Sequence, residues 1–224
     1  MQPTESETLF EQFCASRGIR CVRVPRESAR TPDYRLVVAA GEVVAEVKQL
    51  DPNEDDRLIA REFAERRSVR QTVVRCYVPG ARVRQQIVRA RGQLKRLAKG
   101  RHPALLVLYD NTGGRSGHID AHDVLTAMYG EETHAFGVVG DPALDGAYLG
   151  HRFGGKRQTT PRDNTTLSAI AVLRGYAGVR LGLDVFHNCF AAIPLPPDWL
   201  RGEAVRHFAL PQSVTAEFRE WGEL

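Results

Sequence analysis

Hydrophobic residues recur along the first half of the chain with periods that predict alternating helices and strands. Leu9, Phe10 and Phe13 are spaced as the buried face of a helix over residues 5–17. The apolar run 104–109 is typical of a central strand that is covered on both faces. The other predicted strands of this half cover 19–24, 33–39, 42–49 and 72–78, and the other predicted helices cover 54 to about 67 and 81–99.

The second half of the chain shows weaker patterns. The predicted elements are a helix over 120–128, a strand over 135–139, a long loop over 151–164, a helix over 166–176 and a last strand over 184–193. Helices and strands alternate without a convincing linker, which indicates an α/β fold with one mixed sheet flanked by helices. We expect one domain, with a core over about 4–110 and an α/β extension over about 111–224 that packs on the core or completes it.

Three charged residues interrupt the Val-rich strands that end the first fifty residues. Asp33 follows Pro32, and Glu46 and Lys48 stand in the segment that comes after the next turn. Burying an unpaired carboxylate costs several kcal/mol, so these groups are expected to surround a metal ion or an anion.

Strand geometry makes this expectation specific. Side chains alternate between the two faces of a strand, and a two-residue loop at Ala40 and Gly41 would place Asp33 opposite Lys48 and diagonal to Glu46, all on one face. An odd loop or a bulge would turn Asp33 to the other face. Two carboxylates on one face suit Mg²⁺, and the neighbouring lysine would stabilise negative charge in a transition state.

The segments Pro32-Asp33 and Glu46-Val47-Lys48 resemble the motif of the PD-(D/E)XK nuclease superfamily. The resemblance implies a restriction-endonuclease-like fold and Mg²⁺-dependent hydrolysis of phosphodiester bonds, with Mn²⁺ as a possible substitute ion. It implies that Asp33, Glu46 and the backbone carbonyl of Val47 hold the ion. Lys48 would position and activate the attacking water.

The first helix extends the resemblance over about the first fifty residues. Glu7, a helix that ends at Gly18, a strand and then Pro32-Asp33 form a layout similar to that of archaeal Holliday junction resolvases. In this layout Glu7 would bind a second ion or a metal-bound water. Glu11 lies one helical turn away on the same face and is the alternative for this role.

Charge is distributed unevenly along the chain, whose formal net charge is +4. Residues 66–101 contain twelve Arg or Lys and no Asp or Glu, and a block of one sign attracts polyanions such as nucleic acid. An Arg-rich solvated helix surface is the alternative reading. The candidate nucleic-acid contacts are Arg84, Arg91 and Lys95 on the outer face of the helix predicted over 81–99, and Arg152, Lys156 and Arg157 in the loop predicted over 151–164. Gln93 of the same helix is a further candidate to reach the site.

Composition narrows the setting and leaves two alternatives open. Four cysteines without a Cys-x-x-Cys pair favour a reducing cytoplasm, and no apolar run approaches the ~20 residues of a membrane span. We expect a nuclease that acts on DNA rather than RNA, and a homodimer would suit cutting of both strands. The alternatives are a catalytically inactive nucleic-acid-binding module of the same fold and a small-molecule hydrolase that uses the loop over 151–164.

Overall fold

The computed structural model describes residues 3–25, 31–65, 78–112, 119–136, 146, 148–175, 180–210 and 222–223. The helices within these ranges are α1 (Glu5–Ser16), α2 (Glu54–Glu65), α3 (Ala81–Ala98) and α4 (Ala121–Tyr129), and one 3-10 turn spans Pro197–Trp199. The strands are β1 (Arg20–Arg23), β2 (Tyr34–Val38), β3 (Gly41–Leu50), β4 (Ala104–Asp110), β5 (Glu132–Phe136), β6 (Tyr148–Phe153), β7 (Leu167–Arg174), β8 (Gly182–His187), β9 (Val205–Ala209) and β10 (Gly222–Glu223). No helix in the described ranges is long and apolar enough to cross a membrane.

One mixed sheet organises the molecule, and the predicted α/β class is confirmed. Its strand order is β1-β2-β3-β4-β7-β8-β9-β10. The pairs β3 with β4, β4 with β7, and β8 with β9 are parallel, and the other pairs in this sheet are antiparallel. Strands β5 and β6 form a separate antiparallel pair. Strands from both halves of the chain therefore complete a single sheet.

The two faces of the sheet carry different helices. On one face Leu9, Phe10 and Phe13 of α1 pack against alternate residues of β2 and β3, including Ala45 and Val47. The opposite face is covered by α3 and α4, whose apolar residues pack against Val44, Leu106 and Ile170 among others. Because strand residues alternate between faces, Glu46 and Lys48 share the α3 side with Val44.

Strand β4 lies in the centre, as its uninterrupted apolar sequence predicts. It pairs in parallel with β3 on one side and with β7 on the other. Six of its residues are buried. Helix α3 also follows the predicted pattern, since Val83, Ile87, Ala90 and Leu94 are all buried.

The β2–β3 hairpin differs from the predicted register by two residues. The closing pair is Val38 with Gly41, so the two-residue loop is Ala39–Ala40 instead of Ala40–Gly41. Gly41 is required within the strand because the Trp199 ring packs on it: a Cβ there would lie 2.6 Å from that ring. The shift is even, so the side chain of Asp33 keeps its predicted face.

The helix predicted over 166–176 is wrong, because Leu167–Arg174 forms strand β7. This strand lies between β4 and β8 and is buried on both faces. A strand in that position carries a continuous apolar run, which periodicity alone cannot distinguish from a buried helix.

Other boundaries in the second half also change. The strand predicted over 184–193 ends at His187, and Asn188 turns the chain by accepting a hydrogen bond from the backbone of Phe190 at 3.0 Å. Strands β9 and β10 follow the Pro-rich segment, so β8 is not the last strand. The loop predicted over 151–164 begins with the final three residues of β6.

Two predicted strands fall partly or largely outside the described residues. The strand predicted over 135–139 overlaps β5 only at its first two positions, and residues 137–139 are not described. Residues 72–77 of the strand predicted over 72–78 also lie outside the described part.

Candidate active site

The β2–β3 hairpin brings Asp33, Glu46 and Lys48 together on the α3 side of the sheet. Asp33 directly precedes β2, and the register that pairs Tyr34 with Ala45 places it opposite Glu46. The expectation that Asp33 would stand opposite Lys48 is therefore wrong. Lys48 is two residues further along β3 and lies on the same face as Glu46.

The two carboxylates are held by reciprocal hydrogen bonds. The backbone N–H of Asp33 donates to Glu46 Oε2 at 3.1 Å. The backbone N–H of Val47 donates to Asp33 Oδ2 at 3.0 Å. Each acidic side chain thus bonds to the strand that carries the other one, which fixes both in place.

Glu46 has no solvent exposure, and Lys48 is its salt-bridge partner. Lys48 Nζ contacts Glu46 Oε1, and the Lys48 side chain is 25 % exposed. The pKa of Glu46 is raised to about 7. Burial is the largest cause, repulsion from the Asp33 carboxylate adds to it, and attraction to Lys48 opposes both effects. A cation bound in addition to Lys48 would reduce the repulsion between the two carboxylates.

The donor set fits a hard divalent cation. Two carboxylates lie side by side, and one of them is buried at an energetic cost that a bound cation would offset. The N–H and C=O of a strand residue point to the same edge, so the Val47 carbonyl faces the edge where its N–H meets Asp33. In the described residues no group of three or more His, Cys, Asp or Glu side chains is placed to hold a metal ion.

Glu7 makes contacts at the start of α1 and with β1. Glu7 belongs to α1, which packs on the opposite face of the sheet. Its carboxylate accepts a hydrogen bond from the backbone of Thr4 at 2.9 Å in a capping box and lies 3.6 Å from Arg23. The first turn of α1 and an arginine therefore engage Glu7, and its role with a second ion or a metal-bound water stays a prediction.

Glu11, the alternative to Glu7, takes part in a separate cluster. It accepts hydrogen bonds from the Tyr34 hydroxyl at 2.9 Å and from Arg23 Nε at 2.7 Å. The Arg23 guanidinium also lies over the Tyr34 ring, 5.4 Å from its centroid. These contacts tie α1 to β1 and β2 and support the hairpin from behind.

Helix α3 contacts the segment that leads into Asp33. Gln93 Nε2 donates to the backbone carbonyl of Thr31 at 3.3 Å, two residues before the acid. Gln86 precedes Gln93 by seven residues, lies on the same side of the helix and is buried at 7 % exposure. Sequence reasoning missed Gln86, although two glutamines at this spacing in a basic helix are a recognisable signal.

Arg84 is not on the outer face of α3. Its exposure is 8 %, and its guanidinium lies 3.5 Å from the carbonyl of Thr126 and 3.6 Å from Glu131. Arg84 follows the buried Val83 and packs between α3 and α4, so an outward direction was the wrong inference from its charge. Its contacts are those of a structural arginine.

The other candidate nucleic-acid contacts lie on the surface or outside the described side chains. Arg91 and Lys95 are exposed on α3, and Lys156 and Arg157 are exposed after β6. Lys156 forms a salt bridge with Glu131 at 2.8 Å and lines a shallow depression with Arg84 and Arg89 of α3. Arg152 lies in β6, and its side chain is outside the described part.

Comparison with known proteins gives no assignment. No protein-family model matches the chain, and neither a curated protein nor a solved structure matches it.

Proposed function

We propose that this protein is a metal-dependent nuclease that hydrolyses phosphodiester bonds, with DNA as the expected substrate. The observation that carries the proposal is the fully buried Glu46, which is bonded to the Asp33 backbone on one oxygen and to Lys48 on the other. A structural role alone would be served better by apolar residues, because replacing a buried ion pair with well-packed hydrophobic residues is often neutral or stabilising.

Asp33 and Glu46, with the Val47 carbonyl, would hold a Mg²⁺ ion. When bound there, the ion would supply positive charge that stabilises the phosphorane-like transition state and would align the scissile phosphate. The protein resembles PD-(D/E)XK nucleases in these residues, and the structure adds their mutual hydrogen bonds.

Lys48 would act on the attacking water and on the charge that develops at phosphorus. Its side chain is 25 % exposed on the same face as both acids, so it can reach solvent and substrate from beside Glu46. Hydrolysis breaks one P–O bond, adds water and gives a phosphate monoester and a hydroxyl. A fixed ammonium favours this reaction because it is already oriented towards the charge that forms.

The basic face of α3 would support the nucleic-acid backbone. Exposed cations follow one another along the helix next to the site, and phosphate contacts of this kind carry affinity without sequence information. These exposed cations are Arg89, Arg91, Lys95, Arg96 and Lys99.

The test compares cleavage and binding in purified variants. Asp33→Asn should weaken Mg²⁺ binding and abolish cleavage of plasmid and of short branched or single-stranded DNA, because it removes an anionic ligand. Lys48→Ala leaves the ligands intact, so single-turnover cleavage should slow by ~10²–10³ while Mg²⁺ and DNA affinities change little.

Two variants serve as matched controls. Glu42→Gln removes a carboxylate from the same strand at a side chain that is 39 % exposed, and Arg180→Ala removes an exposed cation that pairs with Glu203. Both should cleave like the parent protein. DNA binding without Mg²⁺-dependent cleavage, or a Lys48→Ala variant as fast as the parent, would refute the nuclease assignment.

A further inference from the structure

A cavity of about 430 Å³ lies on the other side of α3 from Gln93 and Thr31. Its apolar floor comes from α3, β4 and β7, and its polar rim comes from α3 and the segment before β7. The floor residues are Ile87, Ala90, Leu94, Leu106 and Leu167, and the rim residues are Arg91, Lys95, Arg162, Asp163, Asn164, Thr165 and Thr166. An apolar floor with a few polar groups at the rim is the usual composition of a small-molecule site.

The rim carries an excess of positive charge. Arg91, Lys95 and Arg162 are exposed, and within the described part of the chain none of the three forms a salt bridge. The acidic rim residue Asp163 already accepts a hydrogen bond from the Thr160 hydroxyl at 2.9 Å. The net charge of the rim therefore favours an anionic ligand.

The wall opposite α3 is fixed by backbone hydrogen bonds. The N–H of Ala192 donates to the carbonyl of Thr165 at 2.7 Å, and the N–H of Leu167 donates to the carbonyl of Asn164 at 3.0 Å. Asn164 adopts φ +52°, a left-handed conformation that asparagine tolerates better than most residues. A ligand would meet a preformed wall, which lowers the entropic cost of binding.

Gly92 lines the same cavity and is not required by the fold. It lies inside α3 with an ordinary helical φ, is exposed, and a Cβ built on it would have no heavy atom within 4 Å apart from the neighbouring backbone of its own helix. Glycine inside a helix destabilises it relative to alanine. Packing does not explain this glycine, and its place in the cavity lining leaves the helix backbone open to close approach.

The cavity begins one strand away from the acid pair. Leu106 of its floor is the β4 register partner of Glu46, and both side chains lie on the α3 side of the sheet. Adjacent strands are about 4.8 Å apart. A ligand in the cavity and a phosphate at Asp33 and Glu46 can therefore belong to one nucleic-acid strand that crosses α3.

We propose that the cavity binds one nucleotide of the substrate strand, with the base on the apolar floor, the backbone passing Gly92, and a phosphate held by Arg91, Lys95 and Arg162. This inference rests on the proposed nuclease function and specifies how that site engages its substrate. A nucleotide matches the cavity because its base can lie on the apolar floor while its phosphate contacts the cationic rim.

The experiment titrates the full chain with thymidine 5′-monophosphate in EDTA and follows backbone amide shifts. We expect shifts at Gly92 and Thr165, and weaker binding of thymidine alone and of inorganic phosphate. Arg162→Ala should lower the affinity about tenfold, as loss of one charge-assisted contact does. Arg180→Ala is the control: it removes an exposed arginine that does not line the cavity, so the affinity should not change.

Gly92→Leu blocks the mouth of the cavity with a good helix former and should lower the affinity at least tenfold while the protein stays folded. If that variant does not fold, the comparison of Arg162→Ala with Arg180→Ala still tests the proposal. Equal affinity for inorganic phosphate and thymidine monophosphate, absent shifts at Gly92 and Thr165, or equal losses in the two arginine variants would each overturn the proposal. Because no metal is present, this titration can fail while Lys48-dependent cleavage persists, and it can succeed where cleavage is absent.

Discussion

The burial of Glu46 predicts a pH dependence of stability that can be measured without substrate or metal. The pKa of this carboxyl is raised from its ordinary value of 4.5 to about 7, first by burial and then by Asp33. The folded state therefore holds a proton that the unfolded state releases between these values. Stability is highest below about pH 4.5 with respect to this group, and it falls as the pH rises through 7.

The magnitude follows from the same difference. Each pH unit of pKa difference corresponds to about 1.4 kcal/mol, and most of the difference for Glu46 lies between pH 5 and pH 8, so its ionisation should lower the free energy of unfolding by about 2.5 kcal/mol over that range. For a chain of this length that corresponds to about 5–10 °C in Tm. Glu46→Gln removes the ionisation and should remove this part of the pH profile. The constant offset that the variant introduces by losing one hydrogen bond does not affect the slope.

Urea denaturation in EDTA at several pH values provides the measurement. The difference between parent and Glu46→Gln should grow in favour of the variant as the pH rises. Glu42→Gln, on the same strand with a side chain 39 % exposed, should follow the parent at every pH. A parent profile parallel to that of Glu46→Gln would show that the buried carboxyl titrates normally, and the reasoning from burial would fail.

Two further predictions concern α3 and its contact with α4. Arg84→Ala should lower the free energy of unfolding by about 1–3 kcal/mol and leave the salt dependence of DNA binding unchanged. The double variant Arg91→Ala with Lys95→Ala should reduce the slope of log affinity against log salt concentration by up to about two. A salt titration of DNA binding measures both slopes. Gly80→Ala should lower the free energy of unfolding by at least about 2 kcal/mol in thermal denaturation, because φ is +70° and the new Cβ would lie 2.7 Å from backbone atoms of α4. Gly100→Ala, with φ +65° and open space around the new Cβ, should lower it by about 1 kcal/mol. Equal losses of stability in the two variants would contradict the steric argument.

The first half of the fold was predictable because its signals are local. The spacing of apolar residues in α1 and α3 and the polar-free run of β4 each determine an element without reference to distant residues. The face shared by Asp33, Glu46 and Lys48 was also predictable, since it depends only on the parity of the hairpin loop. The register of the hairpin was not predictable from the local sequence, because the ring of Trp199, which is distant in the chain, packs on Gly41 and requires a glycine within the strand.

The second half depends on contacts that the local sequence does not encode. Strand β7 reads as a helix until β4 and β8 are known to cover both its faces. The inward direction of Arg84 likewise depends on α4 and Glu131, which lie about forty or more residues away. Charge in the sequence marked α3 as basic, but only tertiary packing separates its structural arginine from the exposed ones.

Helix α3 lies between the segment that leads into Asp33 and the cavity. Gln93 contacts the segment before Asp33, while Arg91 and Lys95 face the cavity rim. A helix is about 10 Å wide, so a bound strand needs more than one nucleotide to reach both places. Gly92 lies where such a nucleic-acid strand would cross α3. A side chain at this position would displace the strand from both the acid pair and the cavity. In the proposed nuclease, loss of cleavage in a Gly92 variant would therefore reflect substrate position, whereas loss in Lys48→Ala would reflect the chemical step.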